Sequence, residues 1–298
     1  MKIAKPSASV GVGVILMAVA SLSVSIVDGT AKVLAQEHSP YLIAWVRYAV
    51  AFLVVLPFAL ARFGLRVFPR RNLFMHALRT VFLVSAMTFF FVSLQTTELA
   101  NAIVAFFVGP VIALFLAVLL LGETLNRANL ASLICGFVGV AIAIRPTESP
   151  TMGTVLALAA GVCLAFYLVA TRVTGRQSDP LRTLVFQCGF GALLLLPLAF
   201  PYFRLPAPDQ AGLFLLLGCV SAVVHLMVIR AFQLAPATTL APLVYLELIG
   251  ASLVGFAVFG DIPDRDTVVG AVLITLSGLL AWRASGGKTD AAMGSDRL

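Results

Sequence analysis

Charge is what this sequence has least of. Only 11% of its 298 residues are Asp, Glu, Lys or Arg, against roughly 25% in a soluble domain. The chain is 61% hydrophobic, with a mean hydropathy of +1.05. A soluble core of this size could not hide that much apolar surface, so lipid must serve as solvent for much of it. Histidine is also scarce: three residues, far apart in sequence, argue against a metal site. The four cysteines (Cys135, Cys163, Cys188, Cys219) lie in apolar runs without a CxxC pair, and read as small buried hydrophobes. No GxxxxGK[ST] loop is present, so the chain shows no ATPase of its own. The acidic cluster Asp261, Asp264 and Asp266 sits in a short turn with Arg265 inside it, which is thin support for a metal-dependent transferase. The reading is therefore not an enzyme, with no cofactor and no metal.

What is present is a series of long apolar runs. A helix crossing the hydrocarbon needs about 20 mainly apolar residues. Ten segments qualify, near 11–35, 41–62, 73–95, 98–121, 128–145, 153–172, 182–203, 210–232, 236–259 and 267–283. The fold class expected is an all-α membrane protein. The net charge of +7 does not mark a nucleic-acid partner, because the basic residues lie mainly in short turns. With a cytoplasmic N-terminus, fourteen Lys and Arg face inward and three (Arg145, Arg204, Arg265) face outward, while Lys32, Arg47 and Arg79 lie within spans. That asymmetry predicts both termini in the cytoplasm. The tail 284–298 is rich in Gly, Asp, Lys and Ser, and is expected to be disordered.

The two halves repeat. Leu121-Gly122-Glu123 matches Phe259-Gly260-Asp261, and Leu94-Gln95 matches Phe232-Gln233, each 138 residues on. Val55-Leu56-Pro57 matches Leu195-Leu196-Pro197, and Lys32 matches Arg172, each 140 residues on. The units are 1–145 and 153–283. Each holds five spans, an odd number, so the copies should sit upside down relative to each other. Inverted repeats are the architecture of alternating access, with the substrate site near the midplane.

The run 94–144, beginning LQTTELANAIVAFFVGP, resembles the first EamA-type unit of the drug/metabolite transporter superfamily. The run 231–282 resembles the second. The pattern APLVYxELxxAxxxGxxxFGDxPD (241–264) is similar to a subgroup that includes importers of riboflavin and of S-adenosylmethionine. One departure is that Gly260-Asp261 stands where the second unit usually carries Gly-Glu. The resemblance implies a ten-helix bundle in which helices 1–4 and 6–9 line a cavity while helices 5 and 10 brace the outside.

Ionisable residues inside a membrane are costly, and each is a site hypothesis by default. Glu247, central in the ninth span, is the leading candidate for substrate binding or proton coupling. Asp28 and Lys32 lie four apart on the first span, either as a cavity-facing pair or as mutually neutralised groups near the outer interface. Arg47 can grip an anionic or carbonyl group, or pair with Asp28 or Glu37. His225 can titrate near neutral pH or simply hydrogen-bond between helices. Tyr245 and Phe106 offer aromatic surface. Arg79 and His76 read as interfacial anchors. Glu123 and Asp261, at helix ends, read as structural turn carboxylates.

The function expected is a secondary transporter of a small organic metabolite in a bacterial inner membrane. Riboflavin uptake leads, with S-adenosylmethionine uptake or metabolite export as alternatives. A membrane-embedded transferase or a channel is the competing class. The partners expected are a small-molecule substrate and the lipid bilayer, with assembly into a homo-oligomer left open.

Overall fold

The computed structural model describes residues 8–93, 96–97, 99–144, 151–175, 178–203, 208–260, 262 and 265–286. Asp261 and the tail beyond residue 286 lie outside the described residues, as do Lys2, Lys5, Arg145 and Arg204. The described residues form helices and turns: α1 (Ala8–Leu34), α2 (Pro40–Phe63), α3 (Leu73–Ser93), α4 (Leu99–Phe106), α5 (Gly109–Leu121), α6 (Arg127–Ile144), α7 (Met152–Gly175), α8 (Pro180–Ala199), α9 (Pro208–Leu234), α10 (Ala237–Leu240), α11 (Leu246–Val254) and α12 (Arg265–Gly286).

Nine helical stretches among the described residues are long and apolar enough to cross a membrane. The fifth expected span, α6, is shorter at 18 residues, or about 27 Å at 1.5 Å per residue. Apolar side chains point outward in stripes. On α1, Val12, Ile15, Val19, Leu22 and Ile26 are exposed at helical spacing, as a lipid-facing stripe requires.

Two expected spans are not continuous helices. The fourth breaks at Phe107–Val108, between α4 and α5. Pro110, at the start of α5, has no N–H to offer the Phe106 carbonyl. The ninth runs as α10, a 3-10 stretch Ala241–Tyr245 containing Pro242, then α11 and a π-helical turn Gly255–Phe259. Tyr245 pins one break to the other, its hydroxyl donating to the backbone oxygen of Phe107 at 3.2 Å. Pro57 and Pro197, by contrast, lie inside the unbroken helices α2 and α8.

The internal repeat is visible in the packing. Shifting each helix by half the chain turns the α1–α9 contact into the α7–α3 contact, and α1–α11 into α7 against α4 and α5; all of these pairs pack. The α6–α12 pair maps onto itself. Ser132 Oγ donates to the Ser277 carbonyl at 2.6 Å, and Cys135 Sγ approaches the Leu273 oxygen at 3.3 Å. A Cβ on Gly139 would lie 2.9 Å from the Gly270 oxygen. The partner's number falls as the α6 number rises, so the two helices run antiparallel. The 138-residue shift exchanges Ser132 with Gly270 and Gly139 with Ser277, and it carries Cys135 onto Leu273. These contacts therefore straddle an approximate twofold axis. Gly139 and Gly270 are needed there because the backbones meet too closely for a side chain.

Candidate functional site

Four of the expected site residues converge. Arg47, on α2, is only 7% exposed. Its Nη2 lies 3.5 Å from His225 Nε2 on α9, and its Nη1 lies 3.9 Å from Met87 Sδ on α3. Met87 and His225 are 138 residues apart, so Arg47 bridges matching places in the two repeats. Asp28 on α1 and Glu247 on α11 both lie within electrostatic reach of Arg47 and of each other. Two carboxyls from facing helices thus lie in the field of one buried guanidinium.

Close packing of α1 on α11 holds this arrangement. Ser25 Oγ donates to the Glu247 carbonyl at 2.8 Å. A Cβ on Gly250 would meet the Leu22 oxygen at 2.5 Å, so only glycine lets the helices approach this far. Glu247 is not at the middle of a continuous helix. It sits in the first turn of α11, just past the 3-10 stretch, where a carboxylate is favoured by the helix dipole. Discontinuous helices with their ends turned inward are a recurrent way of building a site at mid-membrane.

Asp28 and Lys32 are exposed although they lie on the opposite side of α1 from the lipid-facing stripe. Glu247 is half-buried. Exposure on the inward side of a helix, beside a buried arginine, describes a re-entrant surface. Solvent thus reaches Asp28 and Lys32 near the end of α1, and just beyond them Gln210 on α9 bonds Glu37 and His38, each at 2.6 Å.

The opposite end is tied. Glu123, just past α5, accepts from Arg172 Nε at 3.2 Å and from the backbone N–H groups of Ala237 and Thr238 at 3.1 and 2.9 Å. Arg172 Nη1 donates to the Phe232 oxygen at 2.5 Å. Both side chains are 8% exposed. One carboxylate therefore joins the end of α5, the end of α7 and the start of α10. Gln233 adds bonds to the Gly175 and Ser178 oxygens at 2.8 and 3.0 Å.

Other expected residues fall elsewhere. Tyr245 and Phe106 belong to the main apolar core, and Tyr245 is engaged at the α4–α5 break. Arg79 is not an interfacial anchor: it is 0% exposed, packed over the Tyr167 ring at 5.6 Å and bonded through Nη2 to Gln187 Oε1. His76, 1% exposed, bonds Ser178 Oγ at 3.0 Å. The reason is geometric: a residue six positions into a helix lies about 9 Å along it, and here side chains of α2, α7 and α8 cover that depth. Tyr48, stacked on His225 at 6.3 Å, and Tyr167 were not singled out from sequence. The one available signal was Gln187, which occupies the repeat position of Arg47.

An all-helical membrane bundle with paired half-helices, an internal twofold and charged groups buried between the repeats is the architecture of a transporter. The chain belongs to the EamA-like transporter family, whose model matches residues 11–145 and 151–283. It is 27% identical over 251 residues to a protein named S-adenosylmethionine uptake transporter from Rickettsia prowazekii, covering 84% of this chain and 85% of that one. It is 25% identical to the riboflavin transporter of Vibrio cholerae, covering 89% and 91%. A protein of known crystal structure shares the fold with a TM-score of 0.77 at 16% identity, over 93% of this chain and 97% of that one.

Proposed function

We propose that the chain is a secondary carrier that moves a cationic or zwitterionic amino-acid derivative by alternating access between two inverted five-helix repeats. S-adenosylmethionine is the first candidate. The observation that carries this reading is the pair of carboxyls, Asp28 and Glu247, on facing helices in the field of one buried Arg47, on the side where solvent reaches Asp28. The two acids offer a substrate cation acceptors from both repeats, with Arg47 and Lys32 setting the local charge balance. S-adenosylmethionine brings an ammonium and a sulfonium; riboflavin brings no fixed charge. The antiparallel α6–α12 pair supports the inversion, and the Rickettsia relative supports the substrate.

The carrier sits in a bacterial inner membrane with both termini cytoplasmic, following the Lys/Arg asymmetry. The end tied around Glu123 then faces the cytoplasm, and the end where solvent reaches Asp28 and Lys32 faces outward. A reporter that is active only in the periplasm, fused after Leu298, should stay silent.

The test is uptake of labelled S-adenosylmethionine by cells expressing the chain, beside growth of a riboflavin auxotroph at limiting riboflavin. Saturable uptake that fails in Glu247→Gln at equal membrane abundance supports the reading. Rescue of the auxotroph without S-adenosylmethionine uptake makes riboflavin the substrate. Neither result, with the protein in the membrane, rejects both import readings and turns the question to export.

A further inference from the structure

Beyond the Asp28–Glu247 pair lies a second polar centre of opposite character. Arg79 on α3 is fully buried, and its Nε and Nη1 have no hydrogen-bond partner in the protein. An arginine does not give up its proton inside a protein, so this is a buried cation. The groups within its electrostatic reach are Tyr167, Cys188, Tyr48, His76 and His225: two phenols, a thiol and two imidazoles. No carboxylate among the described residues pairs with it.

The polar atoms left over around Arg79 are almost all donors. Gln187, 0% exposed, spends its carbonyl oxygen on Arg79 Nη2, and its Nε2 is unpartnered. The hydroxyls of Tyr48 and Tyr167, both buried, are also unpartnered. Four helices, α2, α3, α7 and α8, thus converge two N–H edges of a guanidinium, an amide NH2 and two phenols with nothing anionic among them. A buried unpaired charge is expensive, and a structural role alone would be served by a counter-ion or an apolar side chain. An anion satisfies every one of these groups.

Its depth fits a two-ended ligand. Arg47 lies seven residues into α2 from Pro40, about 10 Å along the helix, and Arg79 lies six residues into α3 from Leu73 at the opposite side of the bundle, about 9 Å along. In a span of about 30 Å the two centres are separated by roughly 10 Å. His225 lies within reach of both arginines and joins them.

We propose that Arg79, with Gln187, Tyr48 and Tyr167, is the subsite for the carboxylate of a zwitterionic substrate whose cationic end rests between Asp28 and Glu247. The assignment of the ends rests on the carrier reading above; the anion subsite itself does not.

The test deletes the carboxylate from the ligand and the arginine from the protein. Affinity is read by thermal stabilisation of the purified full chain with two matched pairs: S-adenosylmethionine and its decarboxylated form, and L-methionine and L-methioninamide. A charge-assisted bidentate contact should favour the acid member by about 10- to 100-fold in wild type. In Arg79→Gln the acid loses that advantage while the carboxylate-free member binds as before. Tyr167→Phe, a gentler change, should reduce the preference several-fold. Equal binding of both members to wild type, no binding of any member, or an unchanged ratio in a folded Arg79→Gln protein overturns the subsite. Loss of S-adenosylmethionine binding alone, with acid preference kept on the methionine pair, sinks the substrate reading and leaves the subsite standing.

Discussion

Replacing Glu123 by alanine should open the tied end of the bundle. Its carboxylate accepts three bonds: from Arg172 Nε at 3.2 Å, Ala237 N at 3.1 Å and Thr238 N at 2.9 Å. Removing it leaves Arg172 buried with its bond to the Phe232 oxygen, and leaves two N–H groups at the start of α10 without their acceptor. Breaking one side of a buried ion pair costs about 3–5 kcal/mol. That cost falls on the conformer in which the tie exists. In the conformer open at this end, water can solvate the same groups. At about 1.4 kcal/mol per factor of ten, even the lower figure moves the balance roughly 100-fold toward that conformer.

Hydrogen exchange read by mass spectrometry tests this directly, because the amides of Ala237 and Thr238 are themselves the donors. In Glu123→Ala a peptide covering α10 should exchange far faster, while one covering α12 should not change. Glu123→Gln should fall between, since Oε1 serves both Arg172 and Ala237 while Oε2 serves Thr238, and an amide can replace only one oxygen. Affinity for substrate offered from the opposite side should drop in parallel. Unchanged exchange in α10 together with unchanged transport would refute the claim that this carboxylate holds the end shut.

Three further outcomes are expected. Glu247→Gln should abolish most transport while the protein still inserts; wild-type uptake at equal abundance would remove Glu247 from the mechanism. Arg47→Met should lower the melting temperature in detergent, because Asp28 and Glu247 lose the cation whose field reaches them, and the added change Glu247→Gln should recover part of that loss; if the double variant is the less stable, the two residues do not belong to one electrostatic site. Gly270→Val should destabilise the protein by about 1–3 kcal/mol of overpacking, since even a Cβ there would lie 2.5 Å from the Gly139 oxygen; an unchanged melting temperature would mean that the α6–α12 backbones do not meet as described.

Much of the architecture was legible because the bilayer imposes it. Long apolar runs, short basic turns and a 138-residue echo were enough to predict helices, their number to within one and a duplicated unit. The breaks in the fourth and ninth spans were not predicted, although Pro110 and Pro242 lie at them. Proline frees a carbonyl wherever it falls, and whether the helix bends or breaks depends on what takes up that carbonyl's neighbours. Here the hydroxyl of Tyr245 bonds the oxygen of Phe107, a contact between residues 138 apart that no local pattern encodes. Tyr245 is for that reason occupied in joining the two breaks.

The misreading of Arg79 has a different origin. Hydropathy counts distance from the end of a run, and by that measure Arg79 and Arg172 look alike: basic residues near the end of a span, free to snorkel. Burial depends on lateral neighbours instead. Arg172 meets Glu123, a carboxylate already marked as sitting at a helix end, and becomes half of a tie. Arg79 meets Gln187, Tyr48 and Tyr167, and none of them can neutralise it. One linear pattern thus yields two opposite electrostatic situations. The compensated arginine can fasten the bundle by itself, whereas the other has no counter-charge among the described residues, and under the subsite proposed above takes one from the substrate. In a protein whose composition is poor in charge, a buried cation without a counter-ion is hard to explain by packing. That is why the ligand-side deletion, which leaves every protein contact intact, is the decisive comparison for Arg79.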